Sequence, residues 1–115
     1  SETLELAGAR VTCLHTPGHT PGSQCLSCGD VVFTGDTLFV NACGRCDFEG
    51  SDVHQLHHSL FDVLGALNSR TLVFPGHHYG DVEVSSIGRE KERNPYYQHR
   101  TFEAFARHRL PSRYA

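Results

Sequence analysis

The sequence predicts an α/β domain in which short strands end in tight loops and helices pack beside them. Three observations predict it. Runs at Arg10–Leu14, Ser23–Cys28, Val31–Thr34 and Thr71–Phe74 have the length and residue types of strands. A stretch beginning at Val53 carries apolar residues at helical spacing. A Pro-Gly or Gly-Asp pair follows three of the strands, so each ends in a fixed turn. With 115 residues, the chain is expected to form a single domain over residues 1–115, because a typical domain runs to about 100–150 residues.

The elements follow in order. Leu4-Glu5-Leu6 and Arg10–Leu14 flank a small turn at Ala7-Gly8-Ala9, and the second run reads as a strand. Between His15 and Gly22 two Pro-Gly pairs exclude both helix and strand, which leaves a fixed loop. Ser23–Cys28 and Val31–Thr34 form a hairpin pattern around Gly29-Asp30. Gly35-Asp36-Thr37 breaks the second strand, and Asn41–Gly50 reads as irregular. Beyond it Val53, Leu56, Leu60, Val63, Leu64 and Leu67 fall on one arc at about 100° per residue. Ser51 or Asp52 caps this helix, and Asn68-Ser69 ends it. Thr71–Phe74 is apolar enough to be buried on both faces, and Pro75-Gly76 stops it. Two helices close the chain, around Ser85–Arg93 and Gln98–Arg107, parted by Asn94-Pro95.

Charge and composition remove several function classes. Ten Lys and Arg against 13 Asp and Glu leave a formal net charge of −3. That balance holds no basic stripe for nucleic acid or an anionic membrane. No run approaches the about 20 apolar residues of a membrane span, and Ser1–Ala9 lacks the pattern of a secretion signal. Five Cys, an odd number, fit reduced thiols better than a disulfide framework, so a cytoplasmic location is expected.

The loops carry the chemistry. His19 lies in the double Pro-Gly loop, Asp36 follows Phe33-Thr34-Gly35, and His77 follows Phe74-Pro75-Gly76. A strand inside a sheet is held rigidly, so the residue just past its end is aimed without being buried. Neighbouring Gly and Pro fix the backbone and let it crowd a small ion. Carboxylate and imidazole suit zinc, manganese or iron(II), and two imidazoles with one carboxylate make a partial coordination shell.

These loops also carry a family likeness. Thr16–Ser23 (TPGHTPGS), Phe33–Phe39 (FTGDTLF), Cys43–Phe48 (CGRCDF) and Pro75–Tyr79 (PGHHY) resemble, in that order, motifs of the metallo-β-lactamase-fold hydrolases. The nearest likeness is to the glyoxalase II-like thioester hydrolases and the related persulfide dioxygenases. Ile87–Pro95 is similar to the tail of the compact glyoxalase II-like members, so the resemblance runs from Leu4 to Tyr97. It implies the C-terminal half of an αβ/βα sandwich, a mixed sheet with flanking helices. It makes His19 a ligand of a first metal, Asp36 the carboxylate bridging two metals, and His77 a ligand of the second. Arg45 and Tyr79 match positions that touch the thiol carrier of the substrate. The implied cofactor is zinc, one or two ions, with iron or manganese as alternatives. The implied reaction is hydrolysis of thioesters such as hydroxyacylglutathione through a metal-bound hydroxide, with Asp36 as the catalytic residue. The family's His-x-His-x-Asp-His motif is absent from these residues. The expected partner is therefore the missing N-terminal half or a second copy of the chain, because a lone half exposes an apolar sheet face.

Two other readings compete. A persulfide dioxygenase would hold one iron through His19 and Asp36, leaving His77 a bystander. A non-catalytic half-domain would hold zinc through Cys25-x-x-Cys28 and Cys43-x-x-Cys46, although Cys25 and Cys28 are three apart on one expected strand and so face opposite ways. Cys13 is expected in the core. His54, His57 and His58 read as boundary and surface residues of the helix, and His15, His78, His99 and His108 as surface or loop-packing residues. Arg89–Arg93 reads as a solvated face of mixed charge, while Tyr96, Tyr97, Phe102 and Phe105 are expected to pack the last helices onto the body.

Overall fold

The computed structural model describes residues 2–77, 81–82 and 84–114. β1 (Glu2–Leu6) and β2 (Ala9–His15) pair antiparallel, so the first apolar run is a strand as well as the second. β3 (Gln24–Cys28) and β4 (Val31–Gly35) make the expected hairpin, with Gly29 at φ +58°. The segment expected to be irregular holds a small antiparallel pair, β5 (Leu38–Phe39) with β6 (Ala42–Cys43), reversed by Asn41 at φ +63°.

α1 (Val53–His58) begins at Asp52, whose Oδ1 accepts from the amides of His54 and Gln55. The helical path continues through a wider π turn over Ser59–Val63 and a 3-10 turn over Leu64–Ala66. Its apolar arc survives these changes of winding, with Leu56, Leu60 and Leu64 all buried. β7 (Leu72–Pro75) then lies parallel to β4, and β8 (Ser85–Ser86) pairs with β7. The strand takes the two serines from the expected helix, so α2 runs Ile87–Arg93, capped by Ser86. A 3-10 turn at Pro95–Gln98 and α3 (Phe102–Arg109) follow.

The main sheet is mixed, in the order β1-β2-β3-β4-β7-β8. Its covered face presents Cys25, Val32 and Val73 to a core made with Leu56, Leu60, Leu64, Ile87 and Phe105. Tyr97 is buried there and donates to the Leu60 carbonyl, while Tyr96 and Phe102 pack against the same cluster, as expected. The other face is open. Phe33 is 50% exposed, Leu4 45% and Leu72 38%. Cys13, Leu26 and Cys28 share this face half-buried.

Three expectations change here. β7 alternates between buried Val73 and exposed Leu72 rather than being buried on both faces, because helices cover only one side of the sheet. Cys13 sits on the open face, half-buried, and not in the core. A third correction concerns Arg89–Arg93. Lys91, Glu92 and Arg93 are exposed, yet Glu90 is fully buried.

Candidate active site

Each of the three loops is held by its own backbone contacts. In the first, the Thr16 amide donates to the Ser23 carbonyl, and His15 Nε2 donates to the Pro21 carbonyl at 3.0 Å. The loop rests on the start of α1, where the Asp52 amide donates to the Gly18 carbonyl at 2.7 Å and Ser59 Oγ to the Pro17 carbonyl. Gly18, at φ +139°, comes so close that a Cβ would lie 2.4 Å from the Leu56 backbone. His19 is thereby aimed from a braced loop.

Asp36 and His77 are neighbours because β4 and β7 are parallel, so their C-terminal ends point the same way. The Gly76 amide donates to the Gly35 carbonyl at 2.7 Å and ties the two strand ends together. A Cβ at position 76 would stand 2.9 Å from Asp36 Oδ1, which explains glycine before His77.

The three side chains meet at Asp36. His77 Nδ1 donates to Asp36 Oδ1 at 2.8 Å, and His19 Nε2 stands 3.7 Å from Asp36 Oδ2. His19 Nδ1 donates to the Arg45 carbonyl at 2.9 Å. That bond requires a proton on Nδ1 and leaves Nε2 facing Asp36, the orientation a ligating histidine uses. The three residues line a cleft of about 570 Å³ together with Phe39, Ala42, Cys43, Arg45 and Phe48. As they stand, no group of three or more His, Cys, Asp or Glu among the described residues is set to hold a metal ion.

Arg45 reaches the cleft but pairs with Asp47, Nε to Oδ1 at 3.0 Å, and lies over the Phe48 ring. The Arg45 bond holds the exposed Asp47 carboxyl below its usual range. Tyr79, the other expected substrate contact, lies outside the described residues, as does His78. Sequence reasoning assigned Asp47 no role and missed Phe48, whose ring stands edge-on to His19 at 5.1 Å, and Phe39, whose ring stands edge-on to His77. It also gave no reason for Gly44, where a Cβ would fall 2.2 Å from the Asp36 carbonyl oxygen. The signal lay in the types: aromatic residues beside ligand-type residues in loops.

The four-thiolate reading fails on geometry. Cys25 is buried on the covered face against Thr16 Oγ1, and Cys28 points from the same strand to the open face. Cys43 and Cys46 are buried beside Arg109, and burial pushes both thiols up, Cys46 to about 11. Outside the cleft, His57 donates to the Arg100 carbonyl, His54 stacks on Phe102 and His58 pairs with Asp62. All three are boundary or surface residues, as expected.

The model of the metallo-beta-lactamase superfamily matches residues 2–77. The chain belongs to that superfamily. The probable polyketide biosynthesis zinc-dependent hydrolase PksB of Bacillus subtilis is 34% identical over 97 residues, 84% of this chain and 43% of that protein. The mitochondrial persulfide dioxygenase ETHE1 of Bos taurus is 37% identical over 82 residues, 70% of this chain and 32% of that one. The crystal structure of ETHE1 from Myxococcus xanthus superposes with a TM-score of 0.85 at 41% identity, over 90% of this chain and 46% of that chain. The chain thus spans less than half the length of the relatives it matches, and its mixed sheet with flanking helices is a partial metallo-beta-lactamase fold. No helix among the described residues is long and apolar enough to cross a membrane.

Proposed function

We propose that the whole protein is a metal-dependent thioester hydrolase of the glyoxalase II-like kind, acting on a substrate such as a hydroxyacylglutathione. One observation carries this reading: the Asp36 carboxylate stands between two imidazoles, His77 at one oxygen and His19 at the other. The donor set fits zinc, with iron or manganese as alternatives. It fits as part of a shell, to which further donors would be added in the whole protein. His19, Asp36 and His77 would hold the metal, which when bound supplies Lewis acidity and acidifies a coordinated water.

The chain's other residues bind and orient. Arg45 would leave Asp47 for a carboxylate of the thiol carrier, where a planar guanidinium forms two parallel hydrogen bonds, and Tyr79 would touch the same carrier. Phe39 and Phe48 wall the cleft and exclude water. Because a thiolate leaves readily, the chain needs no dedicated acid for the departing sulfur. The open face with Phe33, Leu4 and Leu72 would seat the other half of the sandwich, which brings the remaining ligands. Five thiols with none in a disulfide suit a reducing compartment such as the cytosol.

A persulfide dioxygenase is the second reading, favoured by the identity to ETHE1. Metal analysis of the whole protein with kinetics on a thioester and on a persulfide separates the two. A hydrolase releases thiol from the thioester and loses both metal and rate in Asp36→Ala and His77→Ala. One iron per chain, oxygen uptake with a persulfide and an indifferent His77→Ala would overturn the hydrolase.

A further inference from the structure

α2 buries a carboxylate that the proposed reaction does not use. Glu90 Oε1 accepts from the Asn41 amide and from Asn94 Nδ2, both at 2.9 Å, and Oε2 accepts from Ser85 Oγ at 2.5 Å and from Arg89. Asn94, also fully buried, donates through the same Nδ2 to the carbonyls of Ala42 at 3.0 Å and Phe39 at 3.4 Å. On the exposed side Asp81 accepts from Asn41 Nδ2 at 2.9 Å, and Arg89 bridges Asp81 and the Asn41 side chain. The polar groups of the β5–β6 reversal are thus gripped from α2. Apolar residues of similar volume would leave the Asn41 amide and the Ala42 and Phe39 carbonyls without these partners. What the polar set adds is location, since its donors and acceptors match one position of the backbone.

That backbone leads directly to the cleft. Phe39, Ala42 and Cys43 line it, Gly44 packs on the Asp36 carbonyl, and the Arg45 carbonyl accepts from His19 Nδ1. We infer that Glu90 and Asn94 are positioning residues, which clamp Phe39–Ala42 and thereby hold the Arg45 carbonyl, and with it the His19 ring, against Asp36. The inference rests on the proposed metal site.

The test uses the whole protein with zinc or cobalt(II) added. Glu90→Ala and Asn94→Ala are expected to speed hydrogen exchange at the Asn41 and Gly44 amides and to shift the cobalt visible spectrum. Zinc affinity is expected to fall about tenfold, at the lower end of losses seen when groups supporting a metal ligand are removed. Glu90→Gln, which still accepts from Asn41, recovers most of that affinity. Unchanged affinity and spectrum in folded alanine variants would overturn the inference, as would failure of Glu90→Gln to recover. If the alanine variants do not fold, Asp81→Ala on the exposed rim replaces them. It is expected to weaken zinc by a smaller factor in the same direction, and no change overturns the clamp. If the unaltered protein binds no metal, the proposed function fails separately. Exchange then decides the clamp alone, and a Gly44 amide as protected in Asn94→Ala as in the unaltered protein sinks it.

Discussion

Adding one methyl group at Gly44 sets steric pressure directly against the cleft. In Gly44→Ala the new Cβ would lie 2.2 Å from the Asp36 carbonyl oxygen and 3.0 Å from His19 Cβ. Ordinary contact needs the Cys43–Arg45 backbone to withdraw by about 1 Å, and overpacking of this kind costs about 1–3 kcal/mol. The same movement stretches the 2.9 Å bond from His19 Nδ1 to the Arg45 carbonyl past its working length, a further loss of about 1 kcal/mol. The sum, about 2–4 kcal/mol, lowers the melting temperature by roughly 8–16 °C at about 4 °C per kcal/mol for a domain of this size. Gly22 is the control, since nothing lies within 4 Å of a Cβ there. Gly22→Ala is expected to be neutral or to stabilise by up to about 1 kcal/mol through the unfolded chain. Thermal unfolding of both variants, with zinc titration, makes the comparison. If Gly44→Ala melts with Gly22→Ala and binds zinc equally, the close packing of this loop on Asp36 is refuted.

The thiols and the open face give two more expectations. Burial raises Cys46 to about 11, so at pH 8 only about one thiol in a thousand is ionised, and native alkylation of Cys46 runs at least about 100-fold slower than in urea. Because the unfolded thiol ionises near 8.5 and the folded one later, the stability tied to Cys46 is full below about pH 8.5 and is lost as pH rises through 11. Equal labelling rates by peptide mass spectrometry would contradict the burial. On the open face, Phe33→Asp is expected to destabilise the whole protein by at least about 2 kcal/mol, because the second layer proposed to cover that ring would trap the charge. A denaturation midpoint equal to that of the unaltered protein would mean the face is solvated.

Residues with rigid local chemistry were the legible ones. Pro17-Gly18, Gly35 and Pro75-Gly76 fix turns on their own, so the loops carrying His19, Asp36 and His77 could be drawn from the chain, and the arc of Leu56, Leu60 and Leu64 is an intrinsic period. What pairs at a distance was not legible. Ser85-Ser86 leaves the helix only because β7 offers it an edge, and two-residue strands such as Leu38–Phe39 have no period to read. The charge run hid Glu90, since a buried glutamate differs from a solvated one only in partners such as Asn41, distant in the chain. The three apolar residues of Thr71–Phe74 cannot say whether one or two layers cover them. The bond from His19 to the Arg45 carbonyl joins residues 26 apart through a backbone atom, which no side-chain pattern reveals.

Zinc K-edge absorption of the loaded whole protein tests the central claim most directly, because it reads the donor atoms themselves. Ligation through His19, Asp36 and His77 predicts a first shell of nitrogen and oxygen at about 2.0–2.2 Å with imidazole scattering beyond it, diminished in His19→Ala. A sulfur shell at about 2.3 Å, unchanged by Asp36→Ala, would contradict it.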